Sequence, residues 1–311
     1  CWEYLSRYLL FTVPILLMNN FTLYMIAAGK ASLSLLCSVA GGVTNIVLDY
    51  LFIAVFRWGI GGAAVANGLG YSITAIVGLL VFSNRNSLLH FVRPVCRPQT
   101  LGRAVTNGCS EMATALVNGI ITLMFNWTML KYVGEDGVAA ITIISYVLAF
   151  AGSLYAGYAY GVAPMLSFYY GEQNHEKLRK LVRTSLKIIG VIAAATVLVS
   201  LAVTEPLVSI FARPGTPVYD LAVAGNRICS LALLFVGFNI FASGMFTALS
   251  NGLISAVLAF SRTFVFTLIA MLVLPVILGV TGIWLATPAA ELAAIILSAV
   301  MLLKYRRRYC Y

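Results

Sequence analysis

Charge is what this sequence has least of. Asp, Glu, Lys and Arg together make up 10% of its 311 residues, against about 25% in a soluble domain. So few charges cannot coat a water-facing surface of this size, which excludes soluble enzymes, disordered chains and collagen-like chains. Acid is scarcer than base, with 10 Asp and Glu against 20 Lys and Arg. A basic excess in a soluble chain would point to nucleic acid. Here the bases collect in the short breaks between long apolar runs, so no nucleic-acid partner is expected. The two histidines, His90 and His175, both fall in such breaks. No HExxH, GxSxG or GxxxxGK[ST] occurs, so neither an enzyme nor an ATP-driven pump is expected. The cysteines at 1, 37, 96, 109, 229 and 310 form no CxxC pair, so no metal centre and no disulfide framework is read. The chain opens on Cys1-Trp2-Glu3 and not on Met with a basic leader.

What is there in quantity is apolar length. Hydrophobic residues make up 61% of the chain. A bilayer core about 30 Å thick takes roughly 20 helical residues. Nine stretches qualify, at 9–28, 32–55, 60–82, 105–130, 138–168, 184–204, 222–248, 252–277 and 281–303. One alternating set of breaks holds fourteen Lys and Arg: Lys30, Arg85, Arg93, Arg97, Arg103, Lys177, Arg179, Lys180, Arg183, Lys187, Lys304, Arg306, Arg307 and Arg308. The other set holds three: Arg57, Lys131 and Arg213. The bias puts the first set, and with it the C-terminus, in the cytoplasm of a multi-pass protein of the inner (plasma) membrane. Residues 169–183 read as a loop and the start of an amphipathic helix on the membrane surface. Pro14 and Pro164 are expected to kink their helices.

Sliding the chain on itself by 220 residues aligns Arg7 with Arg227, Asn19 with Asn239, Met25 with Met245, Gly59 with Gly279 and Gly62 with Gly282. Span boundaries coincide as well, and matched spans cross in the same direction, as in a parallel repeat. The later half has six spans and the earlier half three. Three further helices upstream of Cys1 are therefore expected. The fold expected is an all-α membrane protein of about nine transmembrane helices: half of one six-helix bundle and all of a second, related by a pseudo-twofold. The domains are a partial N-terminal lobe at 1–83, a basic cytoplasmic linker at 84–104 and a C-terminal lobe at 105–311.

Four segments carry a resemblance. NIVLDYLFIAVFRWGIGGAAVAN (45–67) and GYAYGVAPMLSFYYGEQNHEKLRK (157–180) are similar to signatures of the multidrug and toxic compound extrusion (MATE) family, at its fifth-to-sixth and eighth helices. NGCSEMATALVNG (107–119) and GVTGIWLATPAAE (279–291) are similar to its seventh and twelfth helices. The resemblance runs over essentially the whole chain and is closest to the prokaryotic DinF-like branch. It implies two six-helix bundles around a central cavity. It also implies an antiporter that exports organic, often cationic, compounds in exchange for Na⁺ or H⁺, with no cofactor beyond that ion. The expected partners are the lipid bilayer and a small organic substrate, and the working unit is a monomer. The alternatives are a lipid-linked sugar or lipid flippase of the same superfamily, which would need a basic cavity for pyrophosphate, and a non-transporting fragment.

Ionisable and amide groups inside spans are costly and often functional. Asp49 and Asn45 lie one helical turn apart, and Asn67 reaches a similar depth from the next span, with Asn19 near the middle of the first. Carboxylate and amide oxygens at one depth suit Na⁺, or a proton on the acid. The alternative reading is a polar clamp between helices. The resemblance places the equivalents of Asn45 and Asp49 in a cation site, so Na⁺ is expected at Asp49 and Asn45. The repeat partners of Asn45 and Asp49 are Val265 and Ile269, so the later half does not duplicate the cluster. Glu111, roughly 9 Å inside the fourth span, is a proton or substrate carboxylate, with Asn118 two turns on. Tyr146, Tyr155 and Glu291 complete the substrate-cavity candidates. Arg262 needs a buried partner, and Glu291 is one candidate.

Overall fold

The computed structural model of the chain describes residues 2–84, 89–92 and 98–309; side chains at 99–101, 103–111, 113–115 and 307 lie outside that description. Every regular element among the described residues is helical. In chain order these are α1 (Trp2–Leu9), α2 (Thr12–Ala27), α3 (Ala31–Val55) and α4 (Gly59–Ser83), then α5 (Pro98–Tyr132), α6 (Glu135–Gly171) and α7 (His175–Ala202). The short α8 (Thr204–Phe211) follows, and then α9 (Pro217–Ala248), α10 (Gly252–Leu278) and α11 (Val280–Tyr309). Among the described residues seven helices are long and apolar enough to cross a membrane, and the bent α1–α2 pair makes an eighth. With α5, whose 35 residues exceed that length, the helices occupy all nine expected stretches.

The chain divides into two compact units, Cys1–Pro98 and Gln99–Tyr311. In the first, Phe21, Met25 and Phe82 form a small core where α2 meets α4. The second has three apolar clusters, around Trp284, Phe246 and Tyr155. The outer faces are apolar too, with Leu35, Leu36, Val191, Leu253 and Val276 all exposed. That surface is built for lipid.

Helix boundaries depart from the sequence reading in three places, each with a local cause. The bend in the first span is 59° and falls at Leu10–Phe11, not at Pro14. Pro14 has no N–H, and its ring crowds the carbonyl four residues back, that of Leu10, so the chain breaks there and restarts with Pro14 in the first turn of α2. The basic linker ends early, because α5 starts at Pro98, a first-turn position where proline is favoured. The loop expected within 169–183 shrinks to Glu172, Gln173 and Asn174, since Asn174 caps α7 by accepting from the Lys177 amide at 3.2 Å. Pro164 lies inside α6, which runs on to Gly171.

The repeat is visible within each unit. α2, α3 and α4 pack on one another in the first, as α9, α10 and α11 do in the second. Gly59 and Gly279, which open the corresponding turns, both have a φ of 59°, a left-handed conformation open to glycine.

Candidate functional site

The first unit brings two of its polar residues together through a glycine contact. A Cβ on Gly41 of α3 would lie 2.8 Å from the Gly70 carbonyl oxygen, and a Cβ on Gly70 of α4 would lie 2.8 Å from that of Gly41. Only hydrogen fits between these backbones. Asn45 is one turn above Gly41, and Asn67 one turn before Gly70. The close approach lets the Asn45 amide donate to Asn67 Oδ1 at 3.3 Å, while Asn67 donates to the Ala63 carbonyl at 3.2 Å. Gly70→Leu is expected to force α3 and α4 apart, cost about 1–3 kcal/mol and lower the thermal midpoint of the purified protein. A midpoint equal to wild type would show that the contact is not needed.

Asp49 follows Asn45 by four residues, on the same face of α3. Its Oδ1 is buried and has no hydrogen-bond partner among the described residues. Immediately after it, Tyr50–Val55 widens into a π-helical turn. Such turns occur often at functional sites. A buried carboxylate oxygen without a donor is costly, and this one lies one helical turn from Asn45, a member of the amide pair. Asn19 is not part of the group: it is exposed on α2 and makes no hydrogen bond among the described residues. Glu111 lies outside the described residues.

In the second unit Arg262 and Glu291 satisfy one another. Glu291, 8% exposed, accepts from Arg262 Nε at 2.7 and 3.0 Å and from Asn239 Nδ2 at 2.8 Å. Asn239 also donates to the Glu291 carbonyl at 3.0 Å and accepts from Ser298 at 3.0 Å. Arg262 sits in a second π turn, Ser261–Phe266. The expected partner of Arg262 is thus found, and Glu291 is committed to a clamp joining α9, α10 and α11. Tyr155 is also committed. It is 2% exposed, donates to the Leu233 carbonyl at 2.9 Å and shares a 2.6 Å hydrogen bond with Thr196. Asn118 is exposed on α5. Of the aromatic candidates, Tyr146 is the one at a cavity. It stacks on Phe211, centroids 6.2 Å apart, in a groove of about 800 Å³ that Trp127, Asn126 and Glu135 also line.

Sequence reasoning missed Ser298 and used Asn239 only as a repeat match to Asn19. The available signal was an amide in an otherwise apolar run. It also missed a buried knot in which Asn226 donates to Thr204 at 2.9 Å and Ser200 meets Ser230 at 2.8 Å.

Comparison with known proteins gives a consistent result. The MatE family profile matches residues 112–273. A multidrug export protein MepA from Staphylococcus haemolyticus is 22% identical over 308 residues, 98% of this chain and 67% of the relative. MepA from Staphylococcus aureus (strain MRSA252) is 21% identical over 285 residues, 91% of this chain and 62% of the relative. The outward-facing conformation of a multidrug resistance MATE family transporter of the MOP superfamily superposes with a TM-score of 0.86 at 24% identity. That match covers 99% of this chain and 69% of the solved one. The inward-facing conformation of such a transporter gives 0.78 at 24% identity, with 99% and 71% covered. The chain spans about two thirds of the length of the relatives it matches.

Proposed function

The chain belongs to the MatE family, and from that premise we propose that it acts in export of organic, chiefly cationic, compounds across the plasma membrane in exchange for Na⁺ or H⁺. The observation that carries this reading is Asp49, an acid in an apolar span with one buried oxygen that has no donor among the described residues. Bound Na⁺ or a proton removes the cost of that oxygen. Conformations that differ in how Asp49 is solvated are therefore weighted by the ion, which is what coupling requires. Asn45 and Asn67 supply further oxygens at the same depth, and the acid supplies the charge. The proposed orientation has the C-terminus in the cytoplasm, following the Lys and Arg bias. The proposed partners are lipid and a small organic substrate, with a monomer as the working unit and no cofactor beyond the coupling ion. The apolar, aromatic groove at Tyr146, with the Glu135 carboxylate on its wall, suits a flat organic cation.

The flippase reading has less support. Each of the three arginines within or next to the spans and outside the loop sets already faces a glutamate: Arg7 with Glu3 at 2.9 Å, Arg227 with Glu205 at 2.8 Å and Arg262 with Glu291 at 2.7 Å. Little uncompensated base remains there for a pyrophosphate. Proteoliposomes loaded with ethidium and given a Na⁺ gradient or a pH gradient separately test the proposal. Efflux driven by one of them is expected. No efflux under either gradient, with lipid-linked sugar moved instead, would replace antiport by flipping.

A further inference from the structure

We infer that one end of the second unit is a binding surface for the headgroups of anionic phospholipids. Two helices there are longer than a bilayer core. α7 has 28 residues and α11 has 30, where roughly 20 suffice to cross. The surplus of each is basic. The first turns of α7 carry Lys177, Arg179, Lys180, Arg183 and Lys187, and the end of α11 carries Lys304, Arg306 and Arg308. All eight are exposed, and none forms a salt bridge among the described residues.

Packing brings both basic ends to one apolar cluster. Leu178 and Val182 of α7 share an apolar cluster with Tyr309 of α11. Tyr170, at the end of α6, meets the Tyr309 ring at 5.6 Å, and Asn251, just before α10, donates to the Tyr309 hydroxyl at 2.7 Å. With roughly 100° of rotation per residue, Leu178, Val182, Ser185 and Ile189 point inward, and the five basic residues of α7 occupy the opposite side. Tyr169, Tyr170, Tyr305 and Tyr309 lie at the same level, where aromatic rings mark the boundary of the hydrocarbon. Lys177 lies 5.6 Å from the Tyr169 ring and Arg308 5.8 Å from that of Tyr309. The nearby acids are Glu172 and Glu176. An orientation signal needs only the number of bases in a loop. This arrangement gathers bases from two distant parts of the sequence at headgroup height, unneutralised and beside tyrosines, which is the composition that recognises anionic lipid.

The inference does not depend on what the protein transports, and its test reads binding alone. Purified protein in neutral detergent is titrated with phosphatidylglycerol, phosphatidylcholine or inorganic phosphate while its thermal midpoint is followed. Phosphatidylglycerol is expected to raise the midpoint where the other two do not, and salt near 1 M to abolish the difference. K177Q/R179Q/K180Q/R183Q is expected to weaken that response about a thousandfold, with an unchanged midpoint in phosphatidylcholine. K131Q/R213Q, outside the patch, is expected to keep it. If the fourfold variant does not fold, K304Q/R306Q/R308Q carries the same expectation from α11. Equal responses to the two lipids, an equal response to inorganic phosphate, or a preference kept by the patch variant would overturn the inference.

Discussion

In the complete transporter, Asp49→Asn is expected to reduce gradient-driven efflux to that of empty liposomes while leaving the amount of protein in the membrane near wild type. Asn keeps the volume and one oxygen, so the packing of α3 on α4 through Gly41 and Gly70 survives. Its Nδ2 can also donate a hydrogen bond, which the Asp49 carboxylate, whose Oδ1 has no partner among the described residues, cannot. Stability is therefore expected to hold or rise, because an uncompensated buried oxygen is replaced by a neutral amide. What is lost is the negative charge and the ability to take up a proton. A hard cation needs oxygen donors with charge among them, and in this cluster Asp49 is the charged member. A proton-coupled cycle needs a group that is neutral in one state and charged in another. The amide serves neither scheme. The competing reading, a polar clamp with Asn45 and Asn67, predicts the reverse, since an amide clamps as well as a carboxylate. Ethidium efflux under a Na⁺ gradient and under a pH gradient separates the two. Efflux retained by the variant would make Asp49 structural and leave Glu111 as the candidate.

Arg262→Leu is expected to be the most damaging single change to stability, at about 3–5 kcal/mol. It would leave Glu291 charged and buried, with the Asn239 amide, among the described residues, left to compensate it. Glu291→Leu is expected to harm for the converse reason. The double replacement Arg262→Leu with Glu291→Leu is expected to recover most of the loss, because removing both charges removes both desolvation costs. Thermal midpoints of the purified variants check the order. A stable Arg262→Leu protein would mean that Glu291 is not held as an ion partner, and would return it to the substrate candidates. The clamp belongs to one unit only: the repeat partners of Arg262 and Glu291 are Gly42 and Tyr71.

Depth along a helix was legible in the sequence, and rotation about its axis was not. Counting residues from the breaks placed all nine stretches. It also placed Asn45 and Asn67 at one level, and it paired Arg262 with Glu291 because a lone buried arginine demands an acid. Asn19 shows the limit. It has the depth of its repeat partner Asn239, yet Asn239 turns inward onto Glu291 and Asn19 is exposed. The position that faces Asn239 holds an acid, whereas its counterpart in the first unit is Tyr71. Tyr155 misled in the other direction. A tyrosine in an apolar run reads equally as cavity wall or core, and the difference lies in whether a carbonyl such as that of Leu233 comes within reach of its hydroxyl. The bend at Leu10 was displaced from Pro14 because a proline acts on the carbonyl one turn before it. The MatE match at residues 112–273 lies wholly within the second unit. The coupling proposal rests on the first, where Asp49 had to be read from its chemistry.

Ion release on substrate binding tests that proposal most directly. Detergent-solubilised protein is equilibrated in lightly buffered solution with a pH dye, or with radioactive Na⁺, and ethidium is added. Linkage requires that a substrate opposed by the ion expel it. About one equivalent of proton or Na⁺ released per protein is predicted for the wild type, and none for Asp49→Asn. Release of the same size from the variant would contradict the assignment of coupling to Asp49.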